Sequence, residues 1–172
     1  MSKLLLALAV AGSAYHSTAR IAKNNGLSGL RPPPYRRHPR YRVSVVAPAY
    51  NEERYIAGLL RSARNQTEPV AEVIVADSSS PGDDTAAICR TWGATVVRAP
   101  AGNIALARNL GAAAATGEVL VFADSDVVLA SAFVECAVNF LEAGAALVHP
   151  REAIYDSEFW NLALWMPQVV RP

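Results

Sequence analysis

Asp124-Ser125-Asp126 follows the apolar run Val119–Ala123 and sets two carboxylates two positions apart. On an extended backbone such residues project to the same side. There they can share one hard cation with a diphosphate, and that cation offsets charge developing on a departing phosphate. The same three residues also suit an Asx turn that caps the helix near Ser131. Pro48-Ala49-Tyr50-Asn51-Glu52-Glu53 ends another apolar run. Pro48 can stop a ladder, Asn51 can cap a helix, and the two acids suit a first helical turn; a nucleotide can also sit over such a loop. Asp77 heads the turn-forming run Asp77-Ser-Ser-Ser-Pro-Gly82, where a carboxylate can accept from the N–H of a base. Asp83-Asp84-Thr85 reads as a helix start. Arg108, in Gly102-Asn-Ile-Ala-Leu-Ala-Arg108-Asn-Leu-Gly111, suits either a phosphate or a surface ion pair. The chain contains neither G-x-G-x-x-G nor G-x-x-x-x-G-K-[ST], so dinucleotide and P-loop readings lose their main support.

These clusters need elements to position them. The sequence predicts strands at Val43–Ala47, Ala71–Ala76, Ala94–Arg98, Glu118–Ala123 and Ala145–His149. Between them it predicts helices at Glu52–Asn65, Asp83–Trp92, Ile104–Thr116 (stopped by Gly117) and Ser131–Ala143. Strand–helix alternation of this kind predicts an α/β fold with a mostly parallel sheet and right-handed crossovers. Ligands then bind outside the carboxyl ends of the strands, which is where each cluster falls.

Charge divides the chain. Residues 1–42 hold eight Lys/Arg and no acid, whereas residues 43–172 hold eight Lys/Arg and all 15 Asp/Glu. The acidic body argues against nucleic-acid binding. The 52% apolar content excludes a chain that is disordered throughout. Cys89 and Cys136 match no zinc or redox spacing and read as buried apolar residues.

Four stretches follow: an apolar segment at 1–25, a basic linker at 26–42, the α/β body at 43–150, and an apolar tail at 151–172. Leu4–Ala14 is too short for a clean membrane span and fits a tilted anchor, an interfacial helix, a signal peptide or a buried helix. Arg31–Arg42 holds five of the 14 arginines among prolines that forbid helix, a pattern suited to an anionic membrane surface or to a solvated linker, and less to a nucleic-acid arm, since no aromatic-rich platform follows. Phe159–Val170 has nine apolar residues in twelve, and suits either a membrane or a packed interface. His149-Pro150 reads as a structural strand end.

VSVVAPAYNEE, VIVADSSS with DDT, and GNIALARNLGAAAATGEVLVFADSD, in this order, resemble the family 2 glycosyltransferases with the GT-A fold. The resemblance implies a Rossmann-like, mostly parallel sheet flanked by helices. It implies a nucleotide-diphosphate sugar donor, UDP ahead of GDP, and a divalent metal, Mg²⁺ or Mn²⁺. Carried over by motif, Pro48, Ala49, Tyr50 and Glu52 line the nucleotide pocket, Asp77 meets the base, and Arg108 lies near the diphosphate. Asp124 faces ribose or sugar, and Asp126 binds the metal, with Asp124 beside it. The Asp77 loop is about one residue longer than the family's usual form. The acceptor is expected to be a saccharide or a lipid phosphate.

In such enzymes the acceptor-side base comes much later in the chain, and none of Glu152, Asp156 and Glu158 is assigned that role. A truncated product, a complementary chain, or an acceptor already anionic would each account for this. The expected function is metal-dependent, inverting glycosyl transfer at the cytoplasmic face of the cell membrane. The alternative is a non-catalytic nucleotide-sugar-binding module, or a fragment that needs a partner.

Overall fold

The computed structural model describes residues 41–145 and 147–148, together with the backbone of residues 4–9. Its elements are β1 (Leu4–Ala9), β2 (Val43–Ala49), α1 (Ile56–Arg64), β3 (Glu72–Asp77), α2 (Thr85–Thr91), β4 (Thr95–Arg98), α3 (Ile104–Ala114), β5 (Val119–Ala123) and α4 (Phe133–Glu142). The sheet order is β1-β5-β2-β3-β4, and every pairing is parallel. This is the α/β, mostly parallel, GT-A-like arrangement that the sequence implied.

Parallel strands covered on both faces read as near-continuous apolar runs, and these do. Val43, Val45, Ala47, Val75, Val119 and Val121 point to one face, where they pack with Ile56, Leu59 and Leu60 of α1, Cys89 of α2 and Val134 and Val138 of α4. Val46, Ile74, Ala76 and Leu120 point to the other face, beneath Ala107 of α3 and Ala115 just beyond it. Gly111 lets α3 approach closely, because a Cβ there would meet Val46 Cγ1 at 2.5 Å. The order of β5, β2 and β3 makes β2 the topological switch point, with its neighbours added on opposite sides, and such folds place ligands in the crevice there.

Several boundaries differ from expectation. β2 runs through Pro48 to Ala49, which pairs with Asp77. Ala49 directs its carbonyl to Ser78 on the β3 side, so the adjacent Pro48 faces the β5 side. The β5 ladder ends at Val46–Phe122, and the missing N–H of Pro48 therefore breaks no bond. α1 starts at Ile56 rather than Glu52, because Asn51 is left-handed at φ 56° and its side chain goes to Ser80 instead of capping. α3 ends at Ala114, and Gly117 serves a close approach rather than a helix stop, since a Cβ there would lie 2.6 Å from Arg42 O. α4 is ended by Gly144 at φ +92°. Of the expected fifth strand, Ala145–His149, the described residues show a bridge at Leu147, while Ala146 and His149 lie outside them.

Leu4–Ala9, within the apolar segment expected at 1–25 as an anchor or interfacial segment, is an extended edge strand on β5 rather than part of a helix. An open sheet edge offers unpaired N–H and C=O groups, and pairing with this run satisfies them. The rest of 1–25, the basic linker up to residue 40 and the tail at 151–172 lie outside the described residues. No helix among the described residues is long and apolar enough to cross a membrane.

Candidate functional site at the strand ends

The site is assembled from the ends of β2, β3 and β5 and the first turns of α3. Pro48 and Ala49 form the buried end of β2, and Tyr50 emerges from it 54% exposed. Tyr50 Oη lies 3.5 Å from Ser80 Oγ. The loops after β2 and β3 are laced together. Asn51 N donates to Ser79 Oγ at 2.9 Å, Ser80 N donates to Asn51 Oδ1 at 2.8 Å, and Glu52 N donates to Thr85 Oγ1 at 2.8 Å. Asp83 Oδ1 accepts from Thr85 N at 2.9 Å in an Asx turn just before α2, whose N-cap Asp84 makes no side-chain capping bond, contrary to the expected capping role, and Glu53 accepts from Asp84 N at 3.1 Å.

Asp77 is the last residue of β3 and is 4% exposed. Its Oδ1 accepts from Ser79 N at 3.0 Å and its Oδ2 from Arg98 Nη1 at 2.9 Å. Each oxygen keeps further lone-pair capacity, so the carboxylate can still accept from a ligand. Its charge, after burial, helps push the Cys89 thiol up to about 11. Cys89 is thus inert and buried, as expected, whereas Cys136 is only partly buried, and burial raises its thiol as well.

Arg108 reaches from α3 to the end of β5, where Nη2 donates to Asp124 Oδ1 at 2.5 Å. Its Nε is buried without a hydrogen-bond partner. Asp126 is exposed beyond it, and Ser125 between them is buried. Glu52 faces the same cluster. Its pKa is raised by burial first and by the charge of Asp126 second; a hydrogen bond with Ser125 opposes this, and Asp83 and Asp124 add to it.

The sequence-predicted residues therefore gather on one edge. Arg108 and Asp124 touch, and Glu52 lies in the field of Asp126. No group of three or more His, Cys, Asp or Glu among the described residues could cage a metal. A donor set of two carboxylates still fits Mg²⁺ or Mn²⁺, which bind through one or two carboxylates plus substrate phosphates. The sequence reading missed Arg98. Its signal was positional: once Ala76 and Val97 pair, Asp77 and Arg98 end adjacent parallel strands at the same level.

Comparison with known proteins places this geometry. The family described as glycosyl transferase family 2 matches residues 44–169. The 4,4'-diaponeurosporenoate glycosyltransferase of Staphylococcus aureus strain MRSA252 is 42% identical over 55 residues, covering 32% of this chain and 14% of that protein. The structure of S. aureus TarS 1-349 in complex with UDP superposes with TM-score 0.55 at 30% identity, over 60% of this chain and 32% of that one. The Pyrobaculum calidifontis mannosyltransferase PcManGT, in complex with GDP-Man and Mn²⁺, superposes with TM-score 0.54 at 30% identity, over 74% of this chain and 41% of that one. This chain thus spans less than half the length of each. With the family match extending over more than half of its residues, the chain belongs to glycosyl transferase family 2.

Proposed function

We propose that this chain binds a nucleotide-diphosphate sugar at the carboxyl edge of β2, β3 and β5 and serves glycosyl transfer from it to a saccharide or lipid-phosphate acceptor. The observation that carries the reading is the convergence of Asp77, the Arg108–Asp124 pair and Asp126 at the switch point of the sheet. Asp77 accepts from the base, Tyr50 and Ala49 line the base side, and Asp124 faces the ribose or sugar. Arg108 spends one Nη2 donor on Asp124 and its side chain is 30% exposed, so the rest of its fork is free to donate to the diphosphate. The UDP and GDP-Man complexes of TarS and PcManGT support a nucleotide donor.

Asp126, with Asp124 beside it, is the proposed holder of a divalent cation, Mg²⁺ or Mn²⁺; the Mn²⁺ in PcManGT supports this. Bound there, such an ion supplies positive charge against the departing diphosphate. In the proposed inverting reaction an acceptor oxygen attacks the anomeric carbon in line, a phosphate acceptor as its anion and a saccharide hydroxyl with its proton passing to solvent or to an acceptor-side base. The new C–O bond forms as the bond to the diphosphate breaks, and Arg108 helps to stabilise the charge on the leaving oxygen. An anionic phosphate acceptor needs little deprotonation at neutral pH. The basic run Arg31–Arg42 supports a location at the cytoplasmic face of the membrane, against anionic lipid.

Calorimetric titration of the chain with UDP and with GDP, with and without Mn²⁺, tests the donor site. We expect metal-dependent binding that Asp126→Asn abolishes while Tm holds, since Asp126 is exposed. Equal binding by the variant would remove Asp126 from the site. A second reading, a binding module without turnover of its own, is favoured by one observation: the site residues described above all lie on the donor side. Donor binding without hydrolysis or transfer would select it.

A further inference from the structure

We infer that Arg98 is a specificity-determining residue of the donor site: its guanidinium clamps Asp77 and Ser79 together, so that the Asp77 carboxylate presents one fixed edge to the base. The inference rests on the donor-site reading above. Arg98 ends β4 level with Asp77 at the end of β3, and its fork is used twice. Nη1 donates to Asp77 Oδ2 at 2.9 Å, and Nη2 donates to Ser79 O at 2.8 Å. Ser79 N returns a bond to Asp77 Oδ1 at 3.0 Å, closing a ring of three contacts. Asn51 holds the opposite side of the same loop through Ser79 Oγ and Ser80. The segment from Asp77 to Ser80 is thus fixed from both flanks.

The two partners differ in exposure: the Asp77 side chain is 5% exposed and that of Arg98 66%. Because the Asp77 carboxylate is buried, losing Arg98 would leave it with one bond fewer and cost stability; the clamp also orients, and base preference separates the two roles. With one bond already on each carboxylate oxygen, Asp77 has reduced capacity left, and its low exposure limits the approach to one side. Guanine presents two adjacent donors, N1–H and N2–H₂, which together need both carboxylate oxygens. A pyrimidinedione base, uracil or thymine, presents a single N–H between two carbonyls. It needs one acceptor, and Arg98, with two of its five N–H donors used, keeps donors for a flanking carbonyl. The clamped pair is therefore complementary to a pyrimidinedione and poorly matched to guanine. Recognition by paired polar groups discriminates strongly, because the wrong partner leaves buried groups unpaired.

The test is calorimetric titration of the full chain and of Arg98→Ala and Arg98→Lys with UDP, dTDP, GDP and ribose 5-diphosphate, in Mn²⁺. The wild type should bind UDP and dTDP at least tenfold more tightly than GDP. Arg98→Ala should lose most of that preference and leave affinity for the baseless ribose 5-diphosphate unchanged, while the buried Asp77 carboxylate, short of a partner, lowers its Tm. Arg98→Lys, which keeps the charge and loses the fork, should recover only part of the preference. Equal losses for all four ligands would show a merely structural role and overturn the inference, as would an unchanged UDP-to-GDP ratio in Arg98→Ala. A wild-type chain that binds ribose 5-diphosphate but shows no base preference also overturns it and leaves the donor site standing. Failure of the folded wild type to bind any of the four would sink the donor-site reading itself, and this inference with it.

Discussion

Arg108 and Asp124 are joined at 2.5 Å although they come from different elements, one from α3 and the other from the turn after β5. The contact bridges the helix on one face of the sheet to the strand end where the candidate cation site begins. The two side chains are 30% and 40% exposed, so the pair is partly screened and its contribution to folding is modest. Its contribution to binding should be larger. Arg108→Ala is expected to weaken UDP at least tenfold while lowering Tm by no more than a few degrees. Asp124→Asn, which leaves the guanidinium without its carboxylate, should weaken binding of the sugar-bearing donor more than that of UDP. Titrations with UDP and UDP-glucose beside thermal melts read both effects. A variant pair that loses stability and retains affinity would show the contact to be a structural tie.

Glu52 carries a second prediction, with the sign set by its environment. Burial first, and the charge of Asp126 second, raise its pKa in the folded chain, so ionising it opposes folding. The stability it contributes is fully present below its unfolded pKa and lost as pH rises through the folded one. Glu52→Gln should therefore raise Tm at neutral pH, and the gain should vanish toward about pH 4, near the unfolded carboxylate value. Mn²⁺ should relieve the same repulsion, raising the Tm of the wild type more than that of Glu52→Gln. A variant less stable than wild type at neutral pH would refute this account.

At the opposite end of the sheet the sign reverses. Burial tends to raise the pKa of Glu72. Hydrogen bonds from Ser44 and Thr116 and the charge of Arg42 outweigh it, and the net shift is downward. Ser44 Oγ donates to Glu72 Oε1 at 2.6 Å, and Thr116 N does so at 2.7 Å. A lowered carboxylate pKa gives stability above the unfolded value that is lost as pH falls through the folded one. Glu72→Gln should melt below wild type at about pH 7, and the gap should close as pH falls below about 4. A gap that widens in acid would exclude the network as its source.

Much of this arrangement was legible in the sequence because local signals agreed with the fold. The β-branched runs became β2, β3, β4 and β5, and each polar cluster fell at a strand end. What was not legible depended on partners distant in sequence. Pro48 looks like a strand breaker until its neighbours are known; its lost N–H is harmless because the β5 ladder has already stopped. Asn51 looks like a helix cap, but Ser79 and Ser80 from the next loop draw it into a left-handed conformation. Leu4–Ala9 is apolar enough for a membrane segment, and the open edge of β5 takes it as a strand. Arg98 carries no local motif, and only the pairing of β3 with β4 brings it to Asp77.

Gly111 links packing to the site. It lies three residues beyond Arg108 on α3, and an added Cβ would stand 2.5 Å from Val46 Cγ1 and 3.7 Å from Ala76 Cβ. Val46 is fully buried in a central strand, flanked by β3 and β5, so it has little room to yield. Alanine in a helix interior gains about 1 kcal/mol over glycine, whereas forcing a methyl group into a packed core costs about 1–3 kcal/mol. Because Gly111 lies on the face of α3 that packs on the sheet, and the helix must rise to admit the methyl, the cost should win, and the shift should carry Arg108 away from Asp124. Gly111→Ala is expected to lower both Tm and UDP affinity. Val46→Ala alone leaves a cavity and should also lower Tm, but in the double variant the new methyl occupies the space vacated by valine. The two substitutions should then be less costly together than the sum of each alone, by about 1 kcal/mol or more, with UDP affinity restored in step. Additive losses would mean that the close approach of α3 to β2 is not what sets the position of Arg108.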